Sequence, residues 1–153
     1  THSMLRMERM DDIVWSINPR NDTLENLMIR IKHFATSLFE AQNIDYEIQI
    51  QQQIDLARVP MEYRQHIYLI LKEAINNLVK YAHASMAGIN IWFDDRHLTL
   101  EVRDNGRGFD ASAQYQGNGI YGMQKRAKQM NASLELSSAP QTGTVLTLTV
   151  PFS

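Results

Sequence analysis

The stretch His97-Leu98-Thr99-Leu100-Glu101-Val102-Arg103-Asp104-Asn105-Gly106-Arg107-Gly108 decides how this chain is read. Leu98, Leu100 and Val102 alternate with polar or charged residues, the period-2 pattern of a strand with one face on a core. Asp104 continues the apolar parity. An ionised carboxylate aimed at the apolar side is costly unless donors meet it. A purine exocyclic amine is one such donor. Gly106 and Gly108 would then let the backbone turn sharply and approach a flat ring closely. The same letters also suit a plain Asp-Asn-Gly turn after a strand.

Working outward, Asp94-Asp95-Arg96 reads as a turn and residues 89–93 as the strand before it. Residues 60–82 form a long helix opened by Pro60, which suits a first helical turn. Before it, Ile44, Tyr46, Ile48 and Ile50 alternate over another strand. Leu24, Leu27, Met28, Ile31 and Phe34 mark an amphipathic helix, with Asp22 and Glu25 spaced as a capping box. Residues 4–16 read as a helix fragment interrupted by Asn18-Pro19. After the quoted stretch come a short helix over 121–130 and a hairpin of 132–138 with 144–150 around Pro140-Gln141-Thr142-Gly143. This order predicts an α+β fold, a two-layer sandwich with a mixed sheet of about five strands and helices on one face. Residues 1–20 are expected to be the end of a helix and a linker, and 21–153 the main domain.

At 153 residues the chain is sized for one domain, and at 44% hydrophobic it has the apolar content for a core. A net charge of −2 argues against a nucleic-acid footprint. There are no cysteines, so disulfide scaffolds and thiolate metal sites are excluded. No apolar run is long enough to cross a bilayer.

Three further elements carry chemistry. Glu73, Asn77 and Lys80 stand at i, i+4 and i+7 and so lie within roughly 60° on one helix face. The apolar stripe Ile67, Leu71, Ala74, Leu78 and Ala82 occupies another side. A carboxamide oxygen can ligate Mg²⁺, an ammonium can neutralise phosphate, and a carboxylate can orient or deprotonate a nucleophile. The trio also suits a solvated helix face. Gly117-Asn118-Gly119-Ile120-Tyr121-Gly122 matches a dinucleotide fingerprint by letter. It lacks the preceding strand, so the Rossmann reading is rejected. What survives is a glycine loop at a helix N-terminus, which can hold phosphate, or a plain surface loop. Thr144 shares parity with Leu146, Leu148 and Val150, and an inward hydroxyl needs a partner. Threonine is also common in strands.

In order, these elements resemble the N, G1 and G2 boxes and terminal Gly-Thr strand of the GHKL superfamily. That superfamily unites gyrase, heat-shock chaperone, histidine kinase and mismatch-repair ATPases. Glu73-Ala74-Ile75-Asn76-Asn77-Leu78-Val79-Lys80-Tyr81 resembles the histidine-kinase N box, and Gly117-Asn118-Gly119-Ile120-Tyr121-Gly122-Met123 the G2 box. The resemblance implies ATP and Mg²⁺ as cofactors. It implies that Asn77 ligates the metal, Lys80 contacts phosphate and Tyr81 flanks the nucleotide. Asp104, in the G1 box with Gly106 and Gly108, would receive the adenine amine, helped by Thr144 and ordered water. Gly117, Gly119 and Gly122 would border a short lid over about 109–116, and Glu73 would stand as general base. No separate F box is evident, which resembles the compact subgroup of kinases.

Residues 10–20 resemble the junction after the dimerisation helices of kinases with propeller-type periplasmic sensors. The resemblance therefore implies a partner dimerisation domain carrying the phosphorylatable histidine, a downstream response regulator and a homodimeric parent. It places the domain on the cytoplasmic side of an inner-membrane sensor, without contact of its own to membrane or nucleic acid. None of His2, His33, His66, His83 and His97 sits in a His-acidic motif, so each is expected to be a surface or packing histidine. Two other readings stay open: an anti-sigma-type serine kinase, and a non-catalytic nucleotide-sensing module.

Overall fold

The alternation at Leu98, Leu100 and Val102 becomes the middle strand of a five-stranded sheet. The computed structural model describes residues 24–51, 59–94, 96–107, 118–139 and 143–151. The elements run α1 (Leu24–Ala41), β1 (Asp45–Ile50), α2 (Met61–Tyr81), β2 (Met86–Phe93), β3 (His97–Asp104), α3 (Asn118–Gln129), β4 (Ser133–Ala139) and β5 (Gly143–Pro151). The sheet order is β1-β2-β3-β5-β4. β1 pairs parallel with β2, and the other pairings are antiparallel. The fold is the expected α+β arrangement. Residues 4–16 and the Asp22–Glu25 pair of side chains lie outside what is described.

Registers stack the strands into rungs. On one face, Ile50, Ile91, Leu100, Leu148 and Leu134 stand side by side. The next rung on that face is Ile48, Ile89, Val102, Leu146 and Leu136. These residues, with Leu27, Ile31 and Phe39 of α1, Ile67, Leu71 and Ile75 of α2, and Met123 and Ala127 of α3, make the core. All three helices cover this face, α1 over β1, α2 over β3 and α3 over β4. The other face carries Glu101, Arg103, Thr147 and Trp92, and is polar or exposed along most of its length. Thr99 and Gly88 are buried there, Thr99 with Trp92 and Thr149 beside it on the neighbouring strands.

Two boundaries and one helix face differ from the sequence reading. β2 begins at Met86, not Ile89. Its extra residues gain partners on both sides, since Met86 aligns with Asp45 and Ala87 with Asp104. α3 begins at Asn118, not Tyr121, so Gly119 is helical and not in a preceding loop. Finally, the buried stripe of α2 keeps Ile67, Leu71, Ala74 and Leu78 but loses Ala82, which caps the helix end and is only partly buried. It also takes Tyr68, Ile70 and Ile75, because the helix packs against the sheet and both neighbouring helices.

Candidate functional site

The third rung breaks the apolar pattern. On the core face, past Ile89 and Val102, the aligned residues are Ala87, Asp104, Thr144 and Ser138. Directly opposed residues hold their Cβ atoms about 5 Å apart. The hydrophobic floor therefore ends in a carboxylate and two hydroxyls standing in a row. The Thr144 and Ser138 oxygens lie 2.8 Å apart, and Ser138 donates to the Gly143 carbonyl at 3.2 Å.

Asp104 is half-buried. Its Oδ1 accepts the Gly106 N–H at 2.8 Å. Burial pushes its carboxyl above the ordinary aspartate value, and N–H donors from Gly106 and Thr144 hold it partly back. Burial dominates because removing the charged form from water costs more than two amide bonds return.

The loop after Asp104 is bolted to the end of α2. Arg107 donates its backbone N–H to the Ala82 carbonyl at 2.9 Å, and its Nε to the Tyr81 carbonyl at 3.2 Å. Those carbonyls close a helix C-terminus, where a cation is favourable. Gly106 leaves no room for a side chain, since a Cβ there would stand 2.1 Å from the Ala82 oxygen. Asn105 completes the clamp. Its Oδ1 accepts from the backbone of Ser85 at 3.1 Å and Met86 at 2.9 Å, and its Nδ2 donates to Ser85 Oγ at 3.0 Å. His83, at φ 51, turns the chain out of α2 towards this loop. Gly143 seals the other side. Its φ of +86 and a Cβ position 2.2 Å from the Asp104 oxygen exclude any side chain.

On α2, Glu73 and Asn77 are half-buried and Lys80 is exposed. Tyr81 is 54% exposed at the rim. At 1.5 Å per residue, Asn77 lies about 7.5 Å and Glu73 about 13.5 Å up the helix axis from the Ala82–Gly106 contact. The described residues thus bring Asp104, Gly106, Thr144 and the C-terminal end of α2 together, and set Asn77 and then Glu73 further along. Gly108 and Gly117 lie outside the described residues. Gly119 and Gly122 occupy the first turns of α3, and Gly122 faces open space. α3 is tied to α2 by Arg126 Nη1, 3.4 Å from His66 Nδ1. Burial, and then the Arg126 charge, lower His66 below the usual histidine value, which favours the neutral ring as acceptor.

Sequence reasoning missed Asn105, Ser138 and the His66–Arg126 contact. Ser138 could have been found from its parity with Leu134 and Leu136. The His66–Arg126 contact joins residues 60 apart and carries no local signal.

A polar rung thus closes an apolar sheet face and is clamped to a helix bearing a carboxylate, a carboxamide and an ammonium. The chain belongs to the histidine kinase-, DNA gyrase B- and HSP90-like ATPase family, whose model matches residues 62–153. It is 31% identical over 131 residues to sensor histidine kinase YdfH of Bacillus subtilis (strain 168). That match covers 83% of this chain and 30% of the relative's length. Among solved structures, it resembles the histidine kinase domain of the Erythrobacter litoralis EL346 blue-light activated histidine kinase, with TM-score 0.69 and 20% identity over 82% of this chain and 60% of that one. It also resembles full-length ShkA, solved in complex with AMPPNP, with TM-score 0.70 and 16% identity over 84% of this chain and 30% of that one. No described helix is long and apolar enough to cross a membrane.

Proposed function

We propose that this chain is the catalytic domain of a two-component sensor kinase, binding Mg²⁺-ATP and passing the γ-phosphoryl group to a histidine on a partner dimerisation domain. The observation that carries the reading is the half-buried Asp104 in a polar rung beside Thr144. A half-buried carboxylate has lone pairs beyond those met by the Gly106 and Thr144 N–H groups, and the adenine amine would be a further donor. Gly106 and Gly108 let the backbone lie close to the ring, and Tyr81 flanks it. Lys80 meets phosphate, and Gly117, Gly119 and Gly122 border the phosphates and lid.

Among the described residues, no three His, Asp or Glu side chains gather as a metal-ligand set. That fits Mg²⁺, which is commonly held by one or two protein oxygens plus substrate phosphates and water. Asn77 would hold it through its carboxamide oxygen. When bound, the metal neutralises phosphate charge. The protein's own share is positioning: Asp104 fixes the base, Lys80 the phosphates, and Glu73 orients or deprotonates the incoming imidazole. The phosphohistidine would then serve a response regulator, in a homodimeric parent anchored at the inner membrane. The sensor-kinase name of the Bacillus relative supports this assignment.

The test is transfer of label from γ-labelled ATP to an added histidine-bearing dimerisation domain. Acid-labile label on that domain, and none on this chain alone, is the expected result. Acid-stable label would point to a hydroxyl acceptor and a serine kinase. Binding without any transfer would leave a sensing module.

A further inference from the structure

We propose that the outer edge of β1 is a docking site for an extended segment of a partner protein, one in which apolar residues alternate with Lys or Arg. Among the described residues β1 is the end strand of the sheet and pairs, in parallel, with β2 alone. The Asp45 N–H reaches the Ser85 carbonyl at 3.0 Å, and the Gln51 N–H reaches the Ile91 carbonyl at 3.0 Å. Successive residues of a strand turn their amide groups alternately to one side and the other. The odd-numbered residues from 45 to 51 therefore bond β2, and Tyr46, Ile48 and Ile50 turn theirs outward. Such a row is a template for one more strand.

The two faces of this edge say what that strand carries. On the core face Tyr46, Ile48 and Ile50 pack on the core yet are only half-buried. Ile48 and Ile50 share a cleft of 540 Å³ with Gln51 and with Lys32 of α1. Apolar side chains of an added strand would complete their burial. On the open face Asp45 and Glu47 are exposed. Gln49 donates to Glu47 at 3.0 Å, which leaves that carboxylate further lone pairs. Arg103, the cation on the same face, lies across Gly88 and stands 3.7 Å from Glu101. Opposite charges on facing strands attract, so the added strand sets one cation against Asp45 and another, two residues away, against Glu47. Lys32 stands at the Gln51 end of the cleft and repels a cation there, which fixes the register.

The test is fluorescence polarisation of the whole chain with three short labelled peptides. One alternates Lys and Val, one alternates Glu and Val, and one holds the Lys and Val of the first in separate blocks. The Lys-Val peptide should bind roughly 2- to 30-fold more tightly than the Glu-Val peptide, the worth of two facing charge pairs. Glu47→Lys, at an exposed position, should erase or reverse that preference. Ile48→Pro removes an outward N–H that the β1–β2 ladder does not use, and should abolish binding. No binding by the wild type, equal affinity for the Lys-Val and Glu-Val peptides, or a blocked peptide that binds as well as the alternating one overturns the proposal. A preference untouched by Glu47→Lys does so too, and decides the matter alone if Ile48→Pro fails to fold. If sedimentation shows the chain paired with itself, and the pair is lost in Ile48→Pro, the occupant is a second copy and the basic partner is refuted.

Discussion

Replacing Asp104 by Asn tests binding and folding in opposite directions. The Asn Oδ1 can keep the Gly106 N–H, as the Asp Oδ1 does at 2.8 Å. The other atom then becomes an amide nitrogen, whose protons would face the amine of the proposed adenine. Losing a hydrogen bond to a charged group costs about 1.5–3 kcal/mol, roughly 10- to 150-fold in affinity. Folding should respond otherwise. Burial raises the Asp104 carboxyl, so the folded chain holds that proton more tightly than the unfolded chain. The stability tied to it is greatest below the ordinary aspartate value and is lost as pH rises through the raised value. At neutral pH the ionised side chain works against folding, and Asn removes that opposition. Calorimetry with a non-hydrolysable ATP analogue should show the affinity loss, while the ligand-free melting temperature holds or rises. Wild-type affinity should also fall as pH drops through the raised value, and Asp104→Asn should lack that titration. Unchanged affinity refutes the assignment. A lost affinity with a melting temperature several degrees lower refutes the argument that the residue opposes folding.

Three other substitutions probe the surrounding structure. Gly106→Ala forces a Cβ to 2.1 Å from the Ala82 oxygen and should cost about 1–3 kcal/mol in urea denaturation; an unchanged midpoint would show that the clamp gives way. Gly122→Ala meets nothing within 4 Å inside α3 and should stabilise the ligand-free chain by about 1 kcal/mol while weakening nucleotide binding. If binding is untouched, Gly122 has no part in the phosphate border. Glu73→Ala should lower label transfer to an added dimerisation domain by roughly 10²–10⁴-fold with ATP affinity little changed; equal losses in both would make it a binding residue.

Legibility followed the range of the physical signal. The inward parity of Asp104 was readable because alternation is local, and the structure continues Leu98, Leu100 and Val102 into it. The α2 stripe and the shared face of Glu73, Asn77 and Lys80 were readable for the same reason. α3 was placed three residues late because two glycines look like a loop, while Met123 and Ala127, buried in the core, hold that turn helical. The start of β2 was obscured by Met86-Ala87-Gly88, which shows no alternation and is a strand because both neighbours pair with it. The Ser138–Thr144 contact depends on inter-strand register, which no stretch of sequence states by itself. Likewise Asn105 reads as a turn residue, and its grip on Ser85 and Met86 emerges only when the chain returns to the end of α2.

The strand order also bears on how the chain is made. β5 follows β4 in the chain yet lies between β3 and β4. During synthesis β4 therefore appears before the strand that pairs with it, and β3 keeps an open side until then. At about 5–20 residues per second, the 12 residues that follow Ala139, up to Pro151, take roughly a second. For that interval β3 is open along one edge and β4 has no strand beside it, the state in which nascent chains stick to one another. Thr144 rides on the late strand. Asp104 and Thr144 become neighbours only once β5 is laid down, so the polar rung they share is completed last and cannot guide the earlier strands into place.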